Sequence, residues 1–382
     1  MPAPLPVIPK REGEYWTARQ RQMHSLHYVV SYRAAFKPEL PDYFIRRYTK
    51  AGQIVGDPFC GRGTTVLQAN ILGRYAYAND ISPFAVWLTR AKTNPVPLSE
   101  VCSFLAGIDW EGSVAESYPP ELLLFYHPKT LHELLLLKKS IREAETPVAR
   151  FVALLAVSRL HGHSPGFFSV YTMPQFSVPP QAQRRINRKR RQVPEYRPVL
   201  PRLLAKAKAA LRDGQIAKIR RMSMHNCYTR CDARTLYGWQ SESVDLIVTS
   251  PPFLNKVDYL ANNWLEYWFL DIDPETFGAQ MLQTANLEEW QAYMACFLQE
   301  MERVLKPGGV CVIEAGDVLY RKQTINLDET IAAALAAAGC RFLQPLEVLI
   351  QRQNFTKLSH CFAVTNNCKG TNTQRMLVLQ KK

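Results

Sequence analysis

The sequence predicts an α/β protein in which a doubly wound sheet is interrupted by a mainly helical, basic insert. Before residue 95 and after residue 223, short apolar runs alternate with segments of helical periodicity, which is the pattern of parallel strands joined by helices. Between 96 and 222 this alternation lapses and positive charge accumulates. We therefore expect an N-terminal arm (1–27), one α/β domain built from 28–95 and 223–382, and an insert at 96–222.

Each element of the α/β domain is predicted from local patterns of apolar residues, glycines and prolines. Residues 1–27 have only weak periodicity and are expected to form an arm. Before the insert we expect a helix ending at Tyr48 with a glycine cap at Gly52, strands at 53–57 and 75–80, and helices at 66–72 and 84–92. After the insert we expect strands at 227–232, 244–249, 310–314 and 342–349, helices at 287–305 and 327–338, a turn at 306–309, and a closing hairpin of 362–365 with 376–379.

The insert is predicted to be mainly helical. We expect helices at 122–141, 147–160 and 203–221, with an irregular aromatic segment at 162–180.

The charge balance points to a polyanionic partner. The 382 residues carry 47 Lys and Arg against 33 Asp and Glu, for a net charge of +14 and a pI of about 9.4. The segment 181–221 alone holds fourteen of the basic residues and two acidic ones, which is net +12. This concentration is typical of contact with a nucleic-acid backbone, although a solvated basic loop or a localisation signal has a similar composition.

The cysteines and the apolar runs argue against several other classes. Nine cysteines, odd in number and without a C-x-x-C pair, favour reduced thiols over disulfides or a zinc site. The N-terminal residues lack the apolar core of a signal peptide, and no apolar run reaches the ~18 residues of a membrane span. We expect a cytoplasmic, nucleoid-associated protein with no metal and no membrane segment.

The first motif joins the strand at 53–57 to the next helix and reads Asp57-Pro-Phe-Cys-Gly-Arg-Gly-Thr-Thr65. Glycines let the backbone approach a ligand closely, and the amides of a helix N-terminus offer donors. The motif lacks the spacing of a phosphate loop, and Val66 stands where a dinucleotide fingerprint has its third glycine. Asp80 ends the next strand, where an acidic side chain can bind both hydroxyls of a ribose. The pattern favours a nucleoside-bearing cofactor over an unliganded tight turn.

The second motif, Thr249-Ser-Pro-Pro-Phe253, directly follows the strand at 244–249. Its two prolines have no N–H group, so the loop presents oxygen acceptors. Ser250 Oγ and the Pro251 carbonyl can accept the hydrogens of an exocyclic amine, and Phe253 can stack on the ring that bears it. An ordinary surface loop that ends in prolines has the same local pattern. The second motif therefore indicates a functional site only in combination with the first motif.

Together the two motifs resemble those of the amino-methyltransferases of DNA, which use S-adenosylmethionine to methylate cytosine N4 or adenine N6. The resemblance covers most of 28–95 and 223–320, and it implies a Rossmann-like methyltransferase sheet with Ser250, Pro251, Pro252 and Phe253 as the catalytic loop. It also implies that Asp80 binds the ribose of the cofactor and that Asp232 binds the adenine amine. The complete implied cofactor pocket comprises Tyr32, Phe36, Pro38, Asp57, Pro58, Phe59, Cys60, Gly61, Gly63, Thr64, Thr65, Asp80, Ile81, Asp232 and Ala233.

In this family a serine that opens the catalytic loop is associated with cytosine N4. The resemblance therefore implies site-specific formation of N4-methylcytosine on a flipped-out base of double-stranded DNA, by a modification enzyme with a cognate restriction endonuclease as a partner. Three alternatives stay open, namely adenine N6 methylation on the same scaffold, an RNA amino-methyltransferase, and a non-catalytic DNA-binding protein. The insert lies earlier than in common motif orders, so the DNA-recognition geometry of relatives is not carried over.

The basic insert is the predicted DNA contact. Aromatic residues at 167, 168, 171 and 176 precede its charge cluster, where they can contact bases or form a core layer. The residues expected to bind DNA are Arg184, Arg185, Arg188, Lys189, Arg190 and Arg191.

Overall fold

The structure is a computed structural model that describes residues 8–17, 21–32, 35–114, 117–173, 176–252, 258–282, 284–352 and 373–382. Its strands are β1 (Lys10–Gly13), β2 (Ile54–Asp57), β3 (Tyr75–Asn79), β4 (Cys227–Thr229), β5 (Val244–Thr249), β6 (Leu305–Ala315), β7 (Asp317–Tyr320), β8 (Gln323–Asn326), β9 (Leu343–Arg352) and β10 (Thr373–Lys381).

The α-helices before and within the insert are α1 (Glu39–Tyr48), α2 (Thr64–Ile71), α3 (Pro83–Thr93), α4 (Leu98–Ala106), α5 (Pro128–Ala144), α6 (Pro147–Val157), α7 (Pro180–Arg190), α8 (Val199–Ala210) and α9 (Ile216–Ser223). Those after it are α10 (Tyr259–Asn262), α11 (Trp264–Leu270), α12 (Glu275–Gly278), α13 (Leu287–Val304) and α14 (Leu327–Ala338). Short 3-10 helices lie at Ser25–Tyr28 and Pro120–Leu124.

Eight of the strands form one sheet in the order β1-β9-β10-β6-β5-β2-β3-β4, and β7 pairs with β8 in a separate hairpin. The five strands from β6 to β4 are parallel. Strand β10 lies antiparallel between β6 and β9. The α/β class predicted from the sequence is confirmed.

Alternate residues of the strands face two helical layers, as expected for a doubly wound sheet. Val55 and Val248 pack with the apolar faces of α1 and α2. On the opposite face, Ile247 and Ile313 pack with α13 and α14. Both faces of the central strands are therefore buried, which explains their continuous apolar sequences.

The insert shares its core with the helices around it. Phe151 and Leu155 of α6 belong to the same buried cluster as Phe84 and Leu88 of α3. The insert is thus packed onto the edge of the α/β layer through a common core. No helix among the described residues is both long enough and apolar enough to cross a membrane.

The structure departs from the sequence predictions in the N-terminal segment. Residues 1–27 were expected to form a separate arm, whereas Lys10–Gly13 forms β1 and pairs in parallel with β9. Leu26 is fully buried in the core shared with the insert. A four-residue edge strand is too short to show a period of two, which is why the local pattern missed it.

The second departure concerns the ends of elements. The predicted helix at 203–221 is divided into α8 and α9, because Gly214 and Gln215 both have left-handed φ angles of 67° and 58°. The predicted turn at 306–309 is part of β6, whose register with β5 shifts between Val244 and Leu246.

The closing hairpin was also placed differently. Residues 376–379 belong to β10, whose antiparallel partners are β6 and β9, while residues 362–365 lie outside the described residues.

Candidate functional site

A pocket opens at the carboxyl ends of β2 and β5, where the strand order of the sheet reverses. The chain runs outward from β2 through β3 to β4, then returns to place β5 on the other side of β2. Ligands of open α/β sheets bind at such a point, outside the carboxyl ends of the strands. The pocket is lined by Tyr32, Ala35, Phe36, Asp57, Pro58, Phe59, Cys60, Gly61, Arg62, Thr64, Asn79, Asp80, Ile81, Ser82, Cys231, Asp232, Ala233, Ser250, Pro251, Pro252, Tyr259, Gln280, Met281, Leu282 and Tyr293.

Asp57 forms the floor of the pocket at the end of β2. Its Oδ1 accepts hydrogen bonds from Thr249 Oγ1 at 2.7 Å and from the Phe59 amide at 3.3 Å. Burial raises the pKa of Asp57 to about 7 in spite of these donors. A buried carboxyl with a raised pKa gains strongly from a nearby positive charge.

The turn after β2 brings backbone close to the ligand space. Gly61 and Gly63 have φ angles of 48° and 69°, a region that favours glycine. A Cβ on Gly61 would stand 3.4 Å from the Tyr32 ring, so its absence leaves room within the pocket. A Cβ on Gly63 would stand 2.7 Å from Thr89 Oγ1, so Gly63 serves the packing of the turn against α3.

Asp80 follows β3 and is fixed by backbone donors. The Gly61 amide donates to its Oδ2 at 3.0 Å, and the Ser82 amide donates to its Oδ1 at 3.0 Å. Burial raises the pKa of Asp80 to about 6. Because each oxygen keeps acceptor capacity beyond these bonds, Asp80 can accept the two hydroxyls of a ribose.

Aromatic side chains form one wall of the pocket. The ring centroids of Phe59 and Tyr293 lie 6.4 Å apart. Asp232, after β4, lies beside this wall and is bound by Arg234, whose Nη2 donates to Oδ2 at 2.7 Å. Burial raises the pKa of Asp232, but the hydrogen bonds from Arg234 bring it below its ordinary value. An ionised acceptor beside two aromatic rings suits a flat heterocycle with an amino group.

The loop after β5 carries the second predicted motif. Ser250 Oγ donates to Glu314 Oε2 at 2.7 Å, and Glu314 lies on the neighbouring strand β6 with 8% of its surface exposed. Burial raises the pKa of Glu314, although the Ser250 hydrogen bond acts in the opposite direction. A hydroxyl has a single proton to donate, so once it is given to Glu314, the remaining bonds of Ser250 Oγ are those of an acceptor.

The next two residues of this loop are fixed by a hydrogen bond and by burial. Trp290 Nε1 of α13 donates to the Pro252 carbonyl at 2.8 Å, and Pro251 is buried. Phe253 lies outside the described residues. The described part of the loop therefore presents acceptor oxygens on a fixed backbone.

Of the predicted cofactor-binding and catalytic residues that the structure describes, all but three line this pocket. Pro38 precedes the first turn of α1, Gly63 faces Thr89, and Thr65 Oγ1 donates to the Val248 carbonyl at 3.0 Å. Thr65 thus ties α2 to β5 beneath the pocket. Gly63 and Thr65 therefore support the turn from outside the pocket surface.

Sequence reasoning missed Glu314 and part of the pocket wall. Glu314 ends the strand predicted beside β5, but the pattern of a single strand does not reveal which side chain meets its neighbour. The other lining residues that were not predicted are Ala35, Arg62, Asn79, Ser82, Cys231, Tyr259, Gln280, Met281, Leu282 and Tyr293.

The predicted DNA-binding residues lie together on and just after α7. Its inner side is held by Asn187, which donates to the Leu124 carbonyl at 2.8 Å, and by Gln183, which donates to the Tyr171 carbonyl at 3.1 Å. The guanidinium of Arg190 lies 3.8 Å from the centroid of the Tyr171 ring. The exposed basic residues are Arg184, Arg185, Arg188, Lys189, Arg190 and Arg191, and none of the six is in an ion pair with a described carboxylate.

The aromatic residues before α7 divide between core and surface. Phe168 is fully buried in the insert core, while Tyr171 supports Arg190. Among the described residues, no three His, Cys, Asp or Glu side chains are grouped so as to hold a metal ion.

The chain is similar to known proteins in sequence and in structure. A family model for DNA methylase matches residues 9–90 and 244–381, which is more than half of the chain. The Type II methyltransferase M.MjaII of Methanocaldococcus jannaschii is 32% identical over 87 residues, which cover 23% of this chain and 16% of that protein.

Two solved structures are similar at low identity. TrmN from Thermus thermophilus matches 92% of this chain and 50% of its own, with 14% identity and a TM-score of 0.35. The rRNA methyltransferase aviRa from Streptomyces viridochromogenes matches 96% of each chain, with 12% identity and a TM-score of 0.34. This chain therefore spans 16% of the length of its curated relative and half the length of TrmN.

Proposed function

The chain belongs to the DNA methylase family, and we propose that it transfers a methyl group from S-adenosylmethionine to the N4 amine of cytosine in DNA. The observation that carries the proposal is the hydrogen bond from Ser250 to the buried Glu314 at the pocket edge. It makes Ser250 Oγ an acceptor where an exocyclic amine must bind. The target base is flipped out of a specific double-stranded site, since its amine is paired and stacked within the duplex.

The pocket residues fit S-adenosylmethionine. When bound, the cofactor supplies an electrophilic methyl group on a sulfonium. Asp80 accepts the ribose hydroxyls, while Asp232 and the rings of Phe59 and Tyr293 hold the adenine. Asp57 lies at the floor with a raised pKa of about 7, where a cationic ligand would favour its ionised form. The close approach at Gly61 leaves space for the methionine portion.

Ser250 and the loop carbonyls orient the target amine. Ser250 Oγ and the Pro251 carbonyl accept its two hydrogens, which directs the nitrogen lone pair toward the methyl group. Such positioning, together with exclusion of water, is the main contribution that this chain makes to the rate. Because Pro251 and Pro252 have no N–H group, neither residue can donate a hydrogen bond to the amine nitrogen and occupy its lone pair.

Glu314 is placed to receive the proton that the amine loses after methylation. The proton passes from the nitrogen to Ser250 Oγ as the hydroxyl proton moves to Glu314 Oε2, 2.7 Å away. Burial raises the pKa of Glu314, which makes this carboxylate a stronger base than one in water.

The choice of cytosine rests on the serine that opens the catalytic loop. Adenine N6 methylation on the same scaffold is the second candidate, because the same acceptors can hold either exocyclic amine. Methylated DNA digested to nucleosides separates the two, and N6-methyladenine without N4-methylcytosine would overturn the cytosine assignment. Transfer to RNA but not to DNA, or binding of DNA without uptake of S-adenosylmethionine, would support the remaining alternatives.

The exposed face of α7 is the proposed contact with the DNA backbone. Six cationic side chains within eight residues, on a helix whose other side is fixed to the insert, can track adjacent phosphates. We extend the proposal to a cytoplasmic modification enzyme with a cognate restriction endonuclease. Sequencing of DNA from cells that express the chain, with detection of N4-methylcytosine, identifies the methylated site and tests whether it protects against an endonuclease.

A further inference from the structure

A second group of cations lies away from the cofactor pocket, in a cavity between α8 and the segment that follows α6. Arg159, Lys206 and Arg21 line this cavity together with Tyr28 and Gly166. No described carboxylate forms an ion pair with any of these three cations. Three positive side chains thus converge without a counter-charge.

Two further cations at the same cavity already have structural partners. Arg202 donates to the carbonyls of Pro165 and Pro198, each at 2.9 Å. Arg212 pairs with Asp213 at 3.2 Å. Among the cations at this cavity, Arg21, Arg159 and Lys206 are therefore the ones whose side chains have no hydrogen bond or ion pair with a described residue.

Arg159 is the most constrained of the three. Its Nε atom is buried and has no hydrogen-bond partner among the described residues, and its guanidinium carbon lies 4.4 Å from the centroid of the Phe167 ring. A side chain at position 166 would begin 3.7 Å from its Nη1 atom, so Gly166 leaves open space beside the guanidinium. A buried donor without an acceptor is costly in a folded protein.

The cluster also has an electrostatic cost. Burial, followed by repulsion from Arg159 and Arg21, lowers the pKa of Lys206 to about 7. Burial and Arg21 likewise lower the pKa of Arg159. An anion placed among these groups would offset both the repulsion and the desolvation.

The donors around the cavity match a phosphate group. The hydroxyl of Tyr28 accepts the Met23 amide at 3.1 Å, which leaves its own proton to donate. Two guanidinium groups, one ammonium and the Tyr28 hydroxyl supply the charge and the paired N–H donors that bind the non-bridging oxygens of a phosphate group, in a phosphodiester as in a free phosphate.

We propose that the cavity lined by Arg21, Tyr28, Arg159 and Lys206 is a phosphate-binding site that holds a backbone phosphodiester of the bound DNA. The assignment of DNA as the source rests on the proposed function. Lys206 lies on α8, in the same insert that carries α7, so the site gives the insert a second contact with DNA in addition to the exposed basic residues of α7.

The first test measures the phosphate itself. The melting temperature of the full chain is compared in inorganic phosphate and in chloride at equal ionic strength, for the wild type, Lys206→Gln and Lys208→Gln. Lys208 is an exposed lysine of the same helix that does not line the cavity, so Lys208→Gln is a matched control. Phosphate is expected to raise the melting temperature of the wild type and the control but not that of Lys206→Gln.

The second test measures DNA. Affinity for a short duplex is followed against salt, and Lys206→Gln is expected to weaken binding roughly tenfold and to reduce the slope of log K against log salt by about 0.9, the value for one phosphate contact. Arg159→Gln, which also removes one positive charge from the cavity, serves as a second variant with the same expected loss of slope in case Lys206→Gln does not fold.

The outcomes separate the sources of the phosphate. Stabilisation by phosphate with an unchanged salt slope would overturn the DNA assignment and leave a free phosphate compound as the ligand. Absence of both effects would overturn the site altogether. Neither test requires methyl transfer, so a chain that methylates DNA but fails both tests refutes only this inference, and a chain that passes both without methylating DNA refutes only the proposed function.

Discussion

The Ser250 hydroxyl donates its proton to Glu314 Oε2 across two neighbouring parallel strands, at 2.7 Å. Ser250 follows β5 and Glu314 lies in β6, whose registers place Thr249 opposite Ile313. The bond is therefore a consequence of strand pairing, and it determines which atoms of the loop can accept. The buried carboxyl group of Glu314 thus accepts the hydroxyl proton of a loop residue that follows the neighbouring strand.

Removal of the Glu314 charge should slow methyl transfer without loss of cofactor binding. In Glu314→Gln the amide can donate to Ser250 Oγ, so the hydroxyl no longer has a basic acceptor for its proton. We expect turnover to fall roughly a hundredfold or more, the size typical of a missing general base, with an unchanged dissociation constant for S-adenosylmethionine. Single-turnover kinetics and calorimetry measure the two quantities separately.

Glu347→Gln is the control for loss of a buried carboxylate. Glu347 is also buried, but its partner is Arg47 at 2.8 Å, outside the pocket. Its replacement should lower stability and leave turnover of the folded enzyme near the wild-type value. Equal turnover of Glu314→Gln and Glu347→Gln would refute the role of Glu314.

Binding of S-adenosylmethionine should weaken as the pH falls. Burial raises the pKa of Asp57 to about 7 and that of Asp80 to about 6, so both carboxyls bind protons in the cofactor-free protein below those values. A cationic ligand favours their ionised forms, and binding therefore releases protons. The dissociation constant should rise between pH 7 and 5, at most about tenfold per pH unit for each carboxyl.

Calorimetry in two buffers of different ionisation enthalpy counts the released protons. Asp57→Asn should abolish the release between pH 6 and 7 while that of Asp80 remains. Since both folded-state pKa values lie above the unfolded ones, the cofactor-free protein should lose part of its unfolding free energy as the pH rises from about 4 to 7. A dissociation constant that is constant from pH 5 to 8 would contradict these assignments.

Two glycines of one turn should differ in the effect of alanine. Gly63→Ala introduces a left-handed alanine and a Cβ 2.7 Å from Thr89 Oγ1, so it should destabilise the fold by about 2–3 kcal/mol. The nearest neighbour of the Cβ in Gly61→Ala is the Tyr32 ring, at 3.4 Å, so this variant should chiefly weaken cofactor binding.

Gly73→Ala isolates the backbone contribution to these effects. Gly73 has a φ angle of 78° and no neighbour within 4 Å of its Cβ position, so the substitution carries only the cost of the left-handed conformation, about 1 kcal/mol. Chemical denaturation and cofactor titration of the three variants give both quantities. A Gly63→Ala variant as stable as Gly73→Ala would show that the contact with Thr89 relaxes freely.

The strand ends of the site could be predicted from sequence, whereas contacts between elements could not. Asp57 and Asp80 each follow a short apolar run, and parallel strands present their carboxyl ends at one edge, so the sequence places both residues at that edge, and both line the pocket. Glu314 was missed because its role depends on the register of β6 beside β5. Pro38, Gly63 and Thr65 belong to local motifs that do not reveal which residues face a ligand, and none of the three lines the pocket.

The pairing of β9 with β10 illustrates the same limit. Both strands have apolar patterns, but their partners depend on long-range packing. Strand β10 inserts between β6 and β9, and β1, whose residues show no periodicity, is added at the edge.

The basic segment is visible in the composition, yet only the structure separates the exposed cations of α7 from Arg197. Arg197 is 7% exposed and donates to the Ser164 and Phe167 carbonyls.

Removal of charge from α7 should weaken DNA binding in a salt-dependent way. Arg184 and Arg185 are exposed on this helix, and each phosphate contact releases counterions on binding. Replacing both by Gln should reduce DNA affinity and lower the slope of log K against log salt by about 0.9 for each phosphate that the variant no longer binds, while the affinity for S-adenosylmethionine is unchanged. The double variant Lys50→Gln/Lys322→Gln removes two exposed charges outside the insert, so it is the matched control and should leave the slope nearly constant. Because a general decrease in positive charge would affect both variants alike, an equal change in slope would assign the effect to net charge and refute α7 as the DNA contact.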